Sequence, residues 1–147
     1  MIRRFLHLYW RMKRGMTLGV RGVVLQNDDV MLVRHGYTPG WHLPGGGVEP
    51  GETFLEALKK ELMEEGNVRV MGEPKLHAIF QNRNASSRDH VAVYVVREFE
   101  YGGPLPPTFE IKEARFFKLD GLPGDTTAAT KRRIAEVTGG ITAPEQW

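Results

Sequence analysis

The 147-residue chain has no cysteine. It can therefore form neither a disulfide framework nor a thiolate metal site, and catalysis by a cysteine nucleophile is excluded. That composition suits a reducing cytoplasm. A membrane span is not expected either, because crossing a bilayer takes about 20 apolar residues and the run Phe5 to Trp10 is short and broken by His7. A secretory signal fits poorly: basic residues follow that run, and no small-residue cleavage site comes after it. There is no internal repeat, and the length suits one compact core without a second domain.

Acid is missing from one segment. Residues 1–15 carry Arg3, Arg4, Arg11, Lys13 and Arg14 with no Asp or Glu, so the arm's +5 leaves −3 for the rest of a chain whose formal charge is +2. The segment reads as a basic amphipathic helix or extended arm. Phe5, Leu8, Tyr9 and Trp10 present too much apolar surface for water, and the expectation is that the domain or a second copy of the chain, as in a homodimer, covers them. Contact with anionic lipid or nucleic acid is the alternative.

The most informative stretch is Gly46 to Val68, with Glu61, Glu64 and Glu65 shortly after a glycine-rich turn. Positions i, i+3 and i+4 share one face of a helix. Like charges at that spacing cost an isolated helix roughly 0.2–0.5 kcal/mol per pair, a penalty that a hard divalent cation with oxygen ligands would reverse. Leu55, Leu58 and Leu62 recur at helical spacing beside the glutamates and supply the packing edge. Leu43 to Gly47 can be neither helix nor regular strand, Pro50-Gly51 is a turn, and Gly66-Asn67 ends the helix, since both residues enter the left-handed region readily. A solvated Glu/Lys-rich helix is the plain alternative for the carboxylates alone.

With the glycine loop at its offset, the segment resembles the signature box of the Nudix hydrolases, G-x5-E-x7-R-E-U-x-E-E-x-G-U with U aliphatic. Gly46, Glu52, Glu61, Leu62, Glu64, Glu65 and Val68 match. Lys60 stands where the pattern has Arg, and Asn67 where it has Gly. The resemblance implies an α/β fold, an α/β/α sandwich with a mixed β-sheet between helices. It also implies Mg²⁺ or Mn²⁺ bound by Glu61, Glu64, Glu65 and the carbonyl of Gly45, with Gly46, Glu52 and Lys60 as structural residues of the box. Lys60 would brace Glu52 more loosely than a bidentate Arg.

The implied reaction is hydrolysis of the diphosphate linkage in a nucleoside diphosphate derivative, such as ADP-ribose, a dinucleotide or a modified nucleoside triphosphate. Catalytic roles fall to Glu64, Glu65 and Glu61. Glu110 and Glu113 lie where many relatives carry a further acid, although both also read as ordinary exposed carboxylates. Arg34, His35 and Tyr37 are candidates for phosphate and base, and Trp41 for base stacking, with core or rim as its other reading. Arg83, Arg88 and His90 border a polar loop within reach of a distal phosphate, where simple solvation is favoured.

Along the rest of the chain, Met16–Leu25 and Val30–Arg34 form a hairpin signature, and Trp41–Leu43 leads into the glycine loop. Long strands are expected over Val68–Phe80 and His90–Tyr101, a strand over Glu113–Leu119, and a helix over Asp125–Val137 capped by Asp125 or Thr126. This divides the chain into the arm (1–15), the Nudix domain (16–138) and a C-terminal tail (139–147). Two other readings remain open: a nucleotide sensor without turnover, suggested by Lys60 and Asn67, and an RNA 5′-end pyrophosphohydrolase, suggested by the basic arm. The intact carboxylates favour the enzyme.

Overall fold

A computed structural model describes residues 2–147; Met1 of the arm lies outside them. Helix α1 (Ile2–Arg14) leads into β1 (Thr17–Gln26), β2 (Asp29–His35), β3 (Trp41–His42) and β4 (Gly45–Gly47). Helix α2 (Phe54–Gly66) follows, then β5 (Val68–Val70), β6 (Lys75–Gln81), β7 (Asp89–Val96), β8 (Phe99–Tyr101), β9 (Ile111–Lys118) and helix α3 (Ala128–Gly139). The main sheet runs β3-β2-β1-β7-β6, with β4 on β1 and β9 on β2. It is mixed: β1 pairs with β7 in parallel, and the other pairings are antiparallel.

Alternation along β1 builds a layer on each face. Val20 and Val24 pack with Ala57, Leu58 and Leu62 of α2, whereas Val23 and Leu25 pack with Phe80, Val93 and Ile134 of α3. The sheet therefore lies between α2 and α3. Gly22 lets α2 come close, since a Cβ there would meet Leu62 and Leu58 methyls at 3.2 and 3.3 Å.

Several boundaries differ from the sequence reading. Leu55 is exposed, and the packing edge of α2 is Ala57, Leu58, Leu62 and Gly66. The stretch 68–80 divides into β5 and β6 around Met71 to Pro74, where Pro has no N–H for a ladder. The stretch 90–101 divides likewise, and β5 pairs with β8 in a separate ribbon. Helix α3 is capped by Thr127, whose side chain accepts from the Thr130 N–H; Asp125 instead pairs with Arg34 at 3.1 Å.

The last residues are more than a tail. Trp147 N–H donates to the Gln81 carbonyl, and its ring packs on Phe80. Beside both rings lies the fully buried Arg133, 3.9 Å from the Phe80 centroid and 5.2 Å from that of Trp147. Its guanidinium donates to Glu136 at 2.6 Å, and Glu136 also hydrogen-bonds His77 at 3.0 Å.

α1 lies apart from both cores: none of its residues is buried. The domain does not cover Phe5, Leu8, Tyr9 and Trp10, contrary to one of the two coverings expected from the sequence. No helix among the described residues is long and apolar enough to cross a membrane.

Asn67 takes the left-handed conformation expected of it (φ 52°, ψ 39°), its N–H caps the carbonyls of Leu62 and Met63, and its side chain donates to the Gly103 carbonyl at 3.1 Å. Asn67→Ala should therefore cost about 1–2 kcal/mol, measured by urea unfolding. A loss below about 0.3 kcal/mol would show that neither the left-handed preference of Asn nor its Gly103 bond contributes.

Candidate active site

The site starts from three consecutive glycines. Contrary to the expectation that this run holds no regular strand, Gly45, Gly46 and Gly47 form β4 and pair antiparallel with Arg21, Val20 and Gly19 of β1, because strands can accept glycine where the neighbouring chain approaches closely. Gly45 has φ +147°, and a Cβ on it would collide with the Val20 carbonyl. A Cβ on Gly46 would lie 2.7 Å from the Glu61 carboxylate, so the missing side chain makes room for an acid from α2. Helix α2 presents that acid because a capping box sets its first turn, with Thr53 and Glu56 bonding each other's backbone N–H.

Glu61 and Glu65, one turn apart on α2, both reach the same cleft. The Glu65 carboxylate accepts from the Gly45 N–H at 2.9 Å. Enclosure of this carboxyl group lifts its pKa to about 7, with Glu61 and Glu110 adding to the rise and the Gly45 bond and Arg21 opposing it. Glu61 is also raised, by burial first and then by Glu64. Arg21 donates to the Gly45 carbonyl at 2.7 Å, so that this one residue is held by β1 through its carbonyl and by α2 through its N–H.

Glu64 is exposed and faces a smaller adjoining crevice, which Glu113 also lines. Glu113 lies within 3.5 Å of Arg115. Glu110 lines the main cleft, where its charge bears on both Glu61 and Glu65. Lys60 meets Glu52 at 2.6 Å, and the other Glu52 oxygen accepts from the Glu49 N–H at 2.9 Å. Lys60 thus ties α2 to the loop that precedes it, and it holds the Glu52 carboxyl below its ordinary pKa.

The cleft has a volume of about 710 Å³. Tyr37 stands exposed at its wall, and His35 and His42 line it with ring centroids 5.3 Å apart. Burial, with Arg21 and His42 nearby, lowers the His35 pKa to about 4, so the ring is neutral at pH 7. Arg34 and Trp41 leave the cleft. They are register partners on β2 and β3, hence on one sheet face, and there the Arg34 guanidinium lies 4.7 Å from the Trp41 centroid. Trp41 is 4% exposed and packs edge-on against Phe117, which makes it core and removes it as a base platform.

The polar loop lines the cleft through residues other than the three cations considered from the sequence, for which solvation was the favoured reading. Arg83 donates to Gln81 and Arg88 to the Gly15 carbonyl, while Asn82, Asn84 and Asp89 line the cleft. His90 is not part of its wall. Arg21 was also missed; the available signal was a single cation amid the Val and Leu residues of a central strand.

Glu61, Glu65 and the Gly45 carbonyl offer oxygen donors at one end of the cleft, and the glycine cradle leaves space beside Glu61. This donor set fits Mg²⁺ or Mn²⁺. Among the described residues no three carboxylate or imidazole groups are already gathered as a cage, so a cation would draw Glu64 in or complete its shell with substrate oxygens and water.

Comparisons with known proteins agree with this geometry. A family profile for the NUDIX domain matches residues 16–137. An ADP-ribose pyrophosphatase of Methanocaldococcus jannaschii is 31% identical over 110 residues, covering 73% of this chain and 64% of that protein. Diphosphoinositol polyphosphate phosphohydrolase 2 of Rattus norvegicus is 40% identical over 75 residues, 50% of this chain and 41% of that protein. The chain thus spans less than two-thirds of the length of these relatives. Among solved structures, a MutT NUDIX hydrolase from Burkholderia pseudomallei superposes with TM-score 0.72 at 22% identity, over 83% of this chain and 98% of that one. An ADP-ribose pyrophosphatase from Streptococcus suis gives 0.66 at 27% identity, over 89% and 95%.

Proposed function

The chain belongs to the Nudix family, and from that premise we propose that it is a metal-dependent pyrophosphohydrolase acting on a nucleoside diphosphate derivative, with ADP-ribose as the first substrate to test. The observation that carries this reading is the pairing of Glu61 and Glu65 against a side-chain-free glycine strand at the end of a 710 Å³ cleft, with Glu110 beside them. The cleft is of a size that suits a nucleotide. The choice of ADP-ribose leans on the archaeal relative and the streptococcal structure. A chain free of cysteine is at home in the cytoplasm, where such nucleotides are made.

The net reaction adds one water across the P–O–P bridge and releases a nucleoside monophosphate and a phosphorylated remainder. Mg²⁺ or Mn²⁺ held by Glu61, Glu64, Glu65 and the Gly45 carbonyl would neutralise the diphosphate and lower the pKa of bound water. Glu65, oriented by the Gly45 N–H, or Glu64 would take the proton of the attacking water wherever it is not engaged by the cation. Arg21 keeps the Gly45 peptide in place and offers a positive charge to phosphate oxygens. Neutral His35 and exposed Tyr37 would meet the nucleoside end without repelling an uncharged base. The Lys60–Glu52 contact at 2.6 Å supports a brace despite the departure at Lys60, and so favours turnover over a sensor.

The direct test measures release of phosphomonoester from ADP-ribose, dinucleotides and oxidised nucleoside triphosphates, with Mg²⁺, with Mn²⁺ and with EDTA. Turnover on at least one substrate that stops with EDTA is expected. Turnover that persists in EDTA, or none on any nucleotide, would overturn the reading. Removing the brace by Lys60→Ala should raise the metal concentration needed for half-maximal rate by about tenfold, whereas Lys60→Arg should keep it at or below the wild-type value. An unchanged requirement in Lys60→Ala would refute bracing.

A further inference from the structure

Helix α1 has a surface that the proposed hydrolysis does not use. At about 100° per residue, its apolar side chains occupy an arc from Leu8 through Met12, Phe5, Tyr9, Ile2 and Leu6 to Trp10. The remaining arc holds Arg3, Arg14, His7, Arg11 and Arg4, and no acidic residue occurs anywhere on the helix. One cation departs from the division: Lys13 falls within the apolar arc, but it sits in the last turn, where a long side chain can bend its ammonium back to water. The apolar face is open, with Phe5 69% and Leu8 52% exposed.

We propose that α1 is an interfacial helix that docks the protein on a membrane surface rich in anionic lipid. The chemistry of both arcs points to that occupant. A helix whose polar arc is wholly basic and whose other arc carries Trp, Phe and Leu lies in the plane of a bilayer, with the apolar side chains among the acyl chains and the cations at the headgroups. The Arg14 guanidinium lies 3.9 Å from the Trp10 centroid, where arc meets arc, and an indole beside a cation suits the headgroup level. RNA would engage the basic arc but leave the apolar one in water. A second copy pairing through its own α1 would cover the apolar arc but offer no acid to the basic one.

The experiment is vesicle co-sedimentation of the full chain, with light scattering and RNA binding on the same preparation. Vesicles of phosphatidylcholine with about one-third phosphatidylglycerol should bind roughly tenfold more protein than phosphatidylcholine alone, and binding should fall as salt rises. Phe5→Asp combined with Leu8→Asp should abolish it, as should deletion of residues 2–14, and both variants should keep the wild-type Tm because α1 buries nothing in the domain. Four results would each overturn the proposal: no preference for anionic vesicles, retained binding in the double variant, a dimer that splits in the double variant without any vesicle binding, or RNA binding without vesicle binding.

Discussion

Glu65→Gln should lower the metal-dependent rate by about 10²–10⁴-fold while leaving the fold intact. The substitution keeps the shape of the side chain and an oxygen able to accept from the Gly45 N–H, but it removes the charge that a cation would need and the site of proton transfer. A second consequence separates this from simple damage. Because its pKa is raised, the Glu65 carboxyl favours the fold fully below its ordinary value of 4.5, and that contribution is lost as pH rises through about 7. In metal-free solution above pH 7, the Gln variant should therefore be at least as stable as the parent. Kinetics at saturating Mg²⁺ and thermal melts in EDTA at pH 8 measure the two effects. An undiminished rate would remove Glu65 from the chemistry, and a lower Tm would mean that the rate loss reflects misfolding.

The largest effect on stability is expected at Arg133→Ala, at about 3–5 kcal/mol. The side chain is fully buried, and truncating it leaves the Glu136 carboxylate without its guanidinium and the Phe80 and Trp147 rings without the cation packed beside them. Urea unfolding gives the number through a shifted midpoint at constant slope. The paired change Arg133→Met with Glu136→Leu should recover most of the loss, because removing both charges leaves neither unpaired. A cost below about 1 kcal/mol in Arg133→Ala would show that water reaches Glu136 and screens it.

The contrast between Arg133 and Glu61 shows what was legible in the chain. Glu61 and Glu65 could be placed together because loop, helix and spacing are all local: the glycines, the turn at Pro50-Gly51 and the i, i+4 pair lie within one short window, whereas Glu64, expected beside them, faces the adjoining crevice. Asn67 was legible for the same reason, its conformation being set by its own backbone. Arg133 was not singled out in the sequence, since its burial depends on Trp147 and Phe80, of which Phe80 is distant along the chain. Trp41 was ambiguous because Phe117, which packs against it, comes from β9. Arg21 gave no sign of its target, because the Gly45 carbonyl reaches it only through the pairing of β1 with β4. Leu55 failed for a subtler reason: several apolar arcs can be drawn on α2, and only the sheet beneath chooses Ala57 over Leu55.

The parallel pairing of β1 with β7 also sets when the cleft can come into being. Thr17 and Asp89, both in its wall, hydrogen-bond across a separation of 72 residues. The β1–β2 hairpin and α2 rest on local contacts and form on microsecond scales, whereas closing so long a loop comes late and makes folding slow for a chain of this size. The walls of the cleft are thus assembled by the same event that completes the central sheet. A destabilised variant should lose turnover in step with its globally unfolded fraction and not ahead of it, so an activity melt and an optical melt of the same sample should coincide.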